Sequence, residues 1–155
     1  MIFVTVGTQE PFDRFLRIID KLAGQIDEEL IVQAFHDKYE PENFKVRDLI
    51  PPDEFDRIFK KARLIVAHAG MGTIISAMES GKPVVVFPRQ ASLGEHRTDH
   101  QMATAHQMQQ LGYAYVAYTE DELIQYVLDG NLKPLHSIGN GASESLIRSL
   151  REFIG

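Results

Sequence analysis

Short runs of β-branched and other apolar residues alternate along the chain with longer segments whose apolar residues recur at helical spacing. The runs are four to six residues long and bounded by Gly, Pro or polar residues, which is typical of strands. The most apolar of them, Leu64–Ala67, has the composition of a strand buried on both faces. The predicted strands are Ile2–Val6, Leu30–Phe35, Lys45–Ile50, Leu64–Ala67, Val84–Phe87 and Tyr113–Ala117.

The intervening segments carry apolar stripes that predict amphipathic helices. Gly81 and Gly112 are placed as left-handed helix stops, and Thr98 with Gln101 has the spacing of a capping box. Pro51-Pro52-Asp53 is a typical helix start. The predicted helices cover about residues 12–23, 53–62, Gly72–Ser80, Thr98–Leu111, Glu120–Leu128 and Ser145–Ile154.

The alternation of strands and helices predicts an α/β fold, a Rossmann-like and mostly parallel sheet with helices on both faces. We expect residues 1–155 to form a single domain, with Ile2–Val6 as its first strand rather than part of a signal peptide. In such sheets ligands bind at the carboxyl ends of the strands. Three polar segments leave predicted strands toward that edge, at Gly7–Gln9, His68–Gly72 and Pro88–Asp99.

Composition narrows the classes of function that need to be considered. The chain has no cysteine, which excludes disulfides and thiolate metal sites, and its net charge of −6 argues against broad nucleic-acid binding. No apolar run approaches the roughly 18–20 residues of a membrane span. A nucleophilic elbow of the Gly-x-Ser-x-Gly type is also missing.

The segment from His68 to Thr73 is the strongest candidate for a phosphate site. A buried strand ends there in small residues and leads directly into a helix, so backbone N–H groups and the positive end of the helix dipole point at one place. Gly70 and Gly72 permit close approach of a ligand, Thr73 adds a hydroxyl, and His68 can donate to a phosphate oxygen. The alternative is a tight turn with a capping threonine and an internally satisfied histidine.

Two further positions extend this candidate site. Gly7 permits a sharp exit from the first strand and Thr8 can donate to a phosphate, although the pair is also typical of a plain turn. Glu79 follows Thr73 by six residues, about 9 Å along a helix, and its carboxylate can accept both hydroxyls of a ribose. The alternative for Glu79 is a solvated surface residue near a helix end.

The third candidate segment runs from Glu95 to Gln101. Asp99, His100 and Gln101 open a predicted helix, where their side chains can reach sugar hydroxyls. His96, Asp99 and His100 could instead ligate a metal, but no further ligand lies nearby in the sequence, and we expect no metal site. Arg89 either offsets diphosphate charge or lies on the surface.

Together these motifs resemble the donor-binding, C-terminal half of GT-B glycosyltransferases of family 28, which includes MurG-type enzymes. The opening residues Ile2–Thr8 with Phe12-Asp13 are similar to those of the small Alg13-like and PssE- or EpsF-like subunits of that family. The residues that carry the resemblance are Ala67–Thr73, Glu79, Gly81–Pro83, Pro88-Arg89 and Glu95–Gln101.

The resemblance implies a role for each matching residue. The diphosphate of a UDP-sugar would contact Gly7, Thr8, His68, Gly70, Gly72 and Thr73. The ribose would contact Glu79, and the donor sugar would face Asp99, His100 and Gln101. His100 stands where MurG-type enzymes have one of two paired glutamines, which leaves the identity of the sugar open.

The resemblance also implies how the chain would work. A GT-B enzyme has two such sheets, and this chain has one, equivalent to one half. We therefore expect a donor-binding subunit that transfers a hexose with inversion to a lipid-linked acceptor in polysaccharide synthesis. It would act with a membrane-anchored Alg14/PssD-like partner on the cytoplasmic face of the membrane. No cofactor is implied, because the UDP-sugar is a substrate, and the catalytic base is unknown. The alternative is a non-catalytic nucleotide-sugar-binding module.

Overall fold

A computed structural model of the chain describes residues 1–7, 10–35 and 38–135. Within them six strands form one sheet in the order β3-β2-β1-β4-β5-β6, and every neighbouring pair is parallel. This confirms the predicted parallel α/β fold. The strands are β1 (Ile2–Thr5), β2 (Leu30–Gln33), β3 (Val46–Arg47), β4 (Leu64–Ala67), β5 (Val84–Val86) and β6 (Tyr115–Val116).

Five α-helices pack with these strands in the described part of the chain, each beginning and ending within two residues of the prediction. The Gly81 and Gly112 stops adopt φ values of 65° and 73°, the left-handed conformation predicted for them. The predicted helix Ser145–Ile154 lies outside the described residues. The helices are α1 (Asp13–Ala23), α2 (Pro52–Lys61), α3 (Met71–Glu79), α4 (His100–Leu111) and α5 (Glu120–Leu128).

The helices cover both faces of the sheet, as predicted. One apolar cluster joins Ile2 and Val4 to buried residues of α1 and α5, such as Leu16 and Leu123. A second cluster, on the opposite face, joins Phe3 to residues of α2, α3 and α4. Successive residues of β1 therefore enter different clusters, as the alternation of side chains along a strand requires.

Two edge strands are shorter than predicted. Only Val46 and Arg47 of the predicted strand Lys45–Ile50 pair with β2. Just after the last pair, the Nε2 of Gln33 donates to the carbonyl of Asp48 at 3.0 Å. The predicted strand Tyr113–Ala117 is reduced to Tyr115–Val116 at the opposite edge.

The predicted capping box at the start of α4 is wrong. The helix begins at His100, and the Thr98 hydroxyl accepts from the His100 amide at 3.2 Å rather than from that of Gln101. The Gln101 side chain cannot complete the box because its amide group is buried in contacts with other segments. Tertiary hydrogen bonds therefore override the local capping pattern.

The ends of the three central strands are aligned. The His68 amide donates to the Thr5 carbonyl at 3.2 Å, and the Phe87 amide donates to the Ala67 carbonyl at 2.8 Å. The segments that follow β1, β4 and β5 therefore leave the same edge of the sheet side by side. Gly7 turns the first of them away with φ of +80°.

Candidate nucleotide-binding site at the carboxyl edge

The imidazole of His68 lies between the segments that leave β1 and β4. A Cβ added at Gly70 would meet His68 Cε1 and Nε2 at 2.5 Å, and one added at Gly7 would meet the same two atoms at 3.0 Å. The Cε1–Nε2 edge of the ring therefore occupies space that exists only because both residues are glycines. Close approach of a ligand, which the sequence predicts at Gly70 and Gly72, stays a prediction; at Gly70 the structure shows a protein side chain in close contact.

The same ring edge lies beside the start of α3. Gly70 is the N-cap of this helix, it has no side chain, and no other described side chain caps the helix. The amides of Met71, Gly72 and Thr73 precede the first bond of the helix, in which the Ile74 amide donates to the Gly70 carbonyl at 3.4 Å. Amides in this position carry the partial positive charge of the helix dipole and favour an anion.

The other ring nitrogen of His68 faces into the protein. Arg89 NH1 lies 2.7 Å from Nδ1, and Gln101 Nε2 lies 3.0 Å from it. Burial lowers the pKa of His68 to about 3, and the charges of Arg89 and His96 act in the same direction. His68 is therefore a neutral imidazole across the physiological pH range.

Arg89 is fully buried, so the interpretation of it as a surface residue is wrong. Its NH2 group donates to the carbonyls of Val6, at 2.9 Å, and Glu10. Its guanidinium carbon lies 4.8 Å from the centre of the Phe12 ring, a cation–π distance. The side chain thus ties the end of β5 to the segment after β1 behind the histidine. The isolated Pro88-Arg89 pair in the sequence does not indicate that Arg89 is buried.

Gln101 is likewise buried, at 6% exposure. Its Oε1 accepts from the amides of Ala69, at 3.3 Å, and Arg89, at 3.1 Å, while its Nε2 contacts His68. In this structure the amide is directed at the backbone and the histidine, so a direct contact with the donor sugar stays a prediction for this residue.

Asp99 and His100 are exposed at the start of α4. The segment before them is attached to the fold by Glu95, which forms a bidentate ion pair with Arg14 at 2.8 and 3.0 Å and accepts from the Gln90 amide at 3.0 Å. Asp99 Oδ1 accepts from the Ala91 amide at 2.9 Å. Both predicted sugar-facing residues thus lie at the carboxyl edge on an anchored segment.

Glu79 is exposed at the last residue of α3, so its side chain is accessible to a ligand. Thr73 and Ser76 are half-buried, on the polar side of the helix predicted from their spacing with Glu79. The apolar side of the helix, also as predicted, is buried and includes Ile74, Ile75 and Met78.

Thr8, predicted at the diphosphate, lies outside the described residues. Among the residues that the structure does describe, no cluster of three or more His, Cys, Asp or Glu side chains is arranged to hold a metal ion. No helix in the described ranges has both the length and the apolar character needed to cross a membrane.

Comparison with known proteins identifies the family of this chain. The family model of the glycosyltransferase family 28 C-terminal domain matches residues 1–149. Human UDP-N-acetylglucosamine transferase subunit ALG13 is 27% identical over 125 residues, which are 74% of this chain and 11% of that protein. The chain thus spans about a tenth of the length of the curated relative.

Solved structures share the fold. A solution NMR structure of ALG13 aligns with a TM-score of 0.60 and 21% identity over 94% of each chain. MurG of Acinetobacter baumannii aligns with a TM-score of 0.58 and 16% identity over 97% of this chain and 49% of that one. The sheet and its helices correspond to one half of a GT-B glycosyltransferase. The chain belongs to the glycosyltransferase family 28 C-terminal domain family.

Proposed function

We propose that this chain is the donor-binding subunit of a two-component inverting glycosyltransferase that takes a hexose from a UDP-sugar. The proposal rests on membership of the family and on similarity to a protein named as a UDP-N-acetylglucosamine transferase subunit. In the proposed reaction the hexose passes to a lipid-linked acceptor of polysaccharide synthesis. A membrane-anchored partner of the Alg14/PssD type would bring that acceptor to the inner face of the membrane.

One observation supports the donor site above all others: His68 and the uncapped start of α3 lie together at the carboxyl edge. The ring edge of His68 lies against Gly70, which is the N-cap of α3, and the helix has no side-chain cap in the described residues. Preorganised donors of this kind stabilise negative charge without reorganising during the reaction. A leaving UDP develops such charge, so the same groups would both bind the donor and assist its departure.

The proposed contacts follow the predicted roles. The diphosphate would lie against Gly7, Thr8, His68 and residues 70–73, and the donor sugar would face Asp99, His100 and Gln101. Glu79 would hold the ribose hydroxyls. The general base must lie within hydrogen-bond reach of the acceptor hydroxyl, and it would come from the partner, which binds that acceptor.

Calorimetric titration with UDP tests the centre of the proposal. We expect saturable binding with a preference for UDP over inorganic pyrophosphate, because the ribose and uracil add contacts. Absence of UDP binding at millimolar concentration would overturn the donor-binding function.

The ribose contact is tested by a matched pair of substitutions on α3. Glu79 lies about 12 Å along the helix axis from Met71, whereas Ser76 on the same side of the helix lies about 7.5 Å from it. If Glu79 holds the ribose, Glu79→Ala weakens UDP binding roughly tenfold, leaves pyrophosphate binding unchanged, and Ser76→Ala has little effect. The reverse pattern would assign the ribose to Ser76 and remove Glu79 from the site.

Catalysis is tested separately from binding. We expect sugar transfer to a lipid acceptor only when the chain is co-expressed with a membrane-anchored partner of the acceptor-binding type. UDP binding without transfer in such a complex would instead identify a regulatory or scaffolding module.

A further inference from the structure

The side chains behind His68 determine which of its nitrogens carries the proton. A guanidinium N–H and an amide N–H₂ can donate but cannot accept. Arg89 NH1 and Gln101 Nε2 both point at His68 Nδ1, at 2.7 and 3.0 Å. Nδ1 must therefore act as an acceptor for both, which leaves the ring proton on Nε2.

The orientation of the Gln101 amide is itself fixed. Its Oε1 lies 3.3 Å from the Ala69 amide nitrogen and 3.1 Å from that of Arg89, and both of these groups are donors. Rotating the amide by 180° would place its N–H₂ group against two backbone N–H groups. Gln101 consequently presents N–H, and not oxygen, to the histidine.

The position of the Arg89 guanidinium is fixed as well. It is 2% exposed, its NH2 group donates to the carbonyls of Val6 and Glu10, and its guanidinium lies over the Phe12 ring. It therefore holds NH1 in place at Nδ1 from the side opposite the ligand edge.

The protonated nitrogen faces the proposed diphosphate position. Nε2 belongs to the ring edge between Gly7 and Gly70, beside the start of α3. Within the described residues, the hydrogen bonds of His68 side-chain nitrogens all involve Nδ1. Nε2–H is thus the donor that the ring offers to a bound anion.

We propose that Gln101 and Arg89 are positioning residues that hold His68 as the neutral Nε2–H tautomer, so that His68 donates a hydrogen bond to the nucleotide diphosphate. This inference rests on the proposed function and deepens it. It assigns to Gln101 a role behind the phosphate contact, whereas the family resemblance implies a contact with the donor sugar.

The tautomer is measured directly in the unmodified protein. Long-range ¹H–¹⁵N correlation spectra of the His68 ring are expected to show an unprotonated Nδ1 and a protonated Nε2, unchanged between pH 5 and 8. A protonated Nδ1, or an imidazolium in that range, would overturn the inference whether or not UDP binds. The charged and titratable groups that act on this ring in the described residues are Arg89 and His96.

Addition of UDP then tests the contact. We expect the His68 Nε2–H signals to shift on binding. Binding that leaves the His68 ring signals unmoved would overturn the proposed contact but not the proposed function. An intact Nε2–H tautomer with no UDP binding would overturn the proposed function, and the diphosphate contact with it.

Gln101→Glu reverses the proton position while keeping the shape of the side chain. One carboxylate oxygen can still accept from the Ala69 and Arg89 amides. The other faces Nδ1 as an acceptor and also takes the N–H of Arg89 NH1 that donates to Nδ1 in the unmodified protein. The proton moves to Nδ1, Nε2 loses its donor, and UDP affinity at pH 8 falls roughly tenfold. Acidification protonates both nitrogens and restores the donor, so affinity relative to that of the unmodified protein rises as pH falls.

This acid rescue separates a positioning role from a structural one. A general loss of packing would lower affinity equally at each pH, and that result would contradict the inference. Gln110→Glu is the matched control, because it makes the same change at an exposed position of α4. We expect it to bind UDP as the unmodified protein does at every pH. The ionisation of UDP itself is common to all three proteins and cancels in the comparison.

Discussion

Two buried polar centres of this domain differ in how completely the protein satisfies their hydrogen bonds. The first surrounds Asp20 of α1, which is 4% exposed. Its carboxylate accepts from the Tyr39 hydroxyl at 2.6 Å and from the amides of Glu42, at 2.9 Å, and Asn43, at 2.8 Å. All of these donors belong to the segment after β2, so the centre fastens that segment to the helix.

The second centre surrounds His68, and within the described residues its hydrogen bonds lie on one side of the ring only. Nδ1 has two donors from Arg89 and Gln101, whereas the Nε2 edge lies between two glycines at the carboxyl edge of the sheet. Buried polar groups normally have internal partners, because an unpaired one costs free energy. The Asp20 centre follows that rule and stabilises the fold. In the proposed site, the Nε2–H of His68 is the donor kept for a bound diphosphate.

The largest effect on UDP affinity is expected at Gly70, where the His68 ring leaves no space for a side chain. Gly70→Ala places a methyl group 2.5 Å from two ring atoms of His68, and the ring must leave its position between Gly70 and the partners of Nδ1. We expect UDP affinity to fall about a hundredfold, measured by calorimetry, because the phosphate donor is displaced. The free energy of unfolding should also fall, by about 1–3 kcal/mol, through overpacking.

Gly130→Ala is the control for this change, since a Cβ there meets nothing within 4 Å. It should leave both quantities near those of the unmodified protein. If Gly70→Ala binds UDP normally, the ring edge at Gly70 is not part of the ligand site, and the difference between the two centres disappears.

A smaller effect, confined to stability, is expected at the first centre. Asp20→Asn replaces one accepting oxygen with an N–H₂ group that faces donors. We expect the free energy of unfolding to fall by about 2 kcal/mol at pH 7, measured by urea denaturation, with UDP affinity unchanged. Asp27→Asn makes the same substitution at an exposed position and should be neutral. A loss of UDP affinity in Asp20→Asn would mean that the two centres are coupled.

The pH dependence of stability separates the contribution of the Asp20 charge from that of the side chain's shape. Burial acts to raise the pKa of Asp20, but the hydrogen bonds from Tyr39, Glu42 and Asn43 outweigh it and lower the pKa below 3.8. A lowered pKa in the folded state means that the stabilisation is present above the unfolded pKa and is lost as pH falls through the folded one. The unmodified protein should therefore lose its advantage over Asp20→Asn below about pH 4.

The sequence predicted the sheet well because its central strands are buried runs whose hydrophobic pattern is unambiguous. Residues 64–67 appear in the structure with the bounds predicted for them. The edge strands were overestimated; at β3 the backbone pairing ends at Arg47, and the next residue, Asp48, is held by the side chain of Gln33. A long-range contact of that kind has no signature in the local pattern.

The site was predictable only in part for the same reason. The glycine turn and helix start lie within six consecutive residues, so spacing alone located them. The support behind His68 comes from Arg89 and Gln101, which are 21 and 33 residues away along the chain. The local sequence pattern predicts Arg89 either at a diphosphate or on the surface and Gln101 at a sugar, because burial of a polar side chain depends on tertiary packing.

The smallest effect concerns Gly72, two residues after Gly70 and at the second position of α3. A Cβ at Gly72 meets no atom within 4 Å, so the protein itself does not require glycine there. Gly72→Ala should raise the free energy of unfolding by about 0.5 kcal/mol, measured by urea denaturation, because alanine is the better helix former. A diphosphate in contact with the backbone at residues 70–73 would meet the new methyl group. We then expect UDP affinity to fall severalfold while stability rises, a combination that packing within the protein cannot produce. Unchanged affinity in Gly72→Ala would show that the ligand does not approach this amide. Of these two glycines, only Gly70 would then be required, because it makes space for the His68 ring.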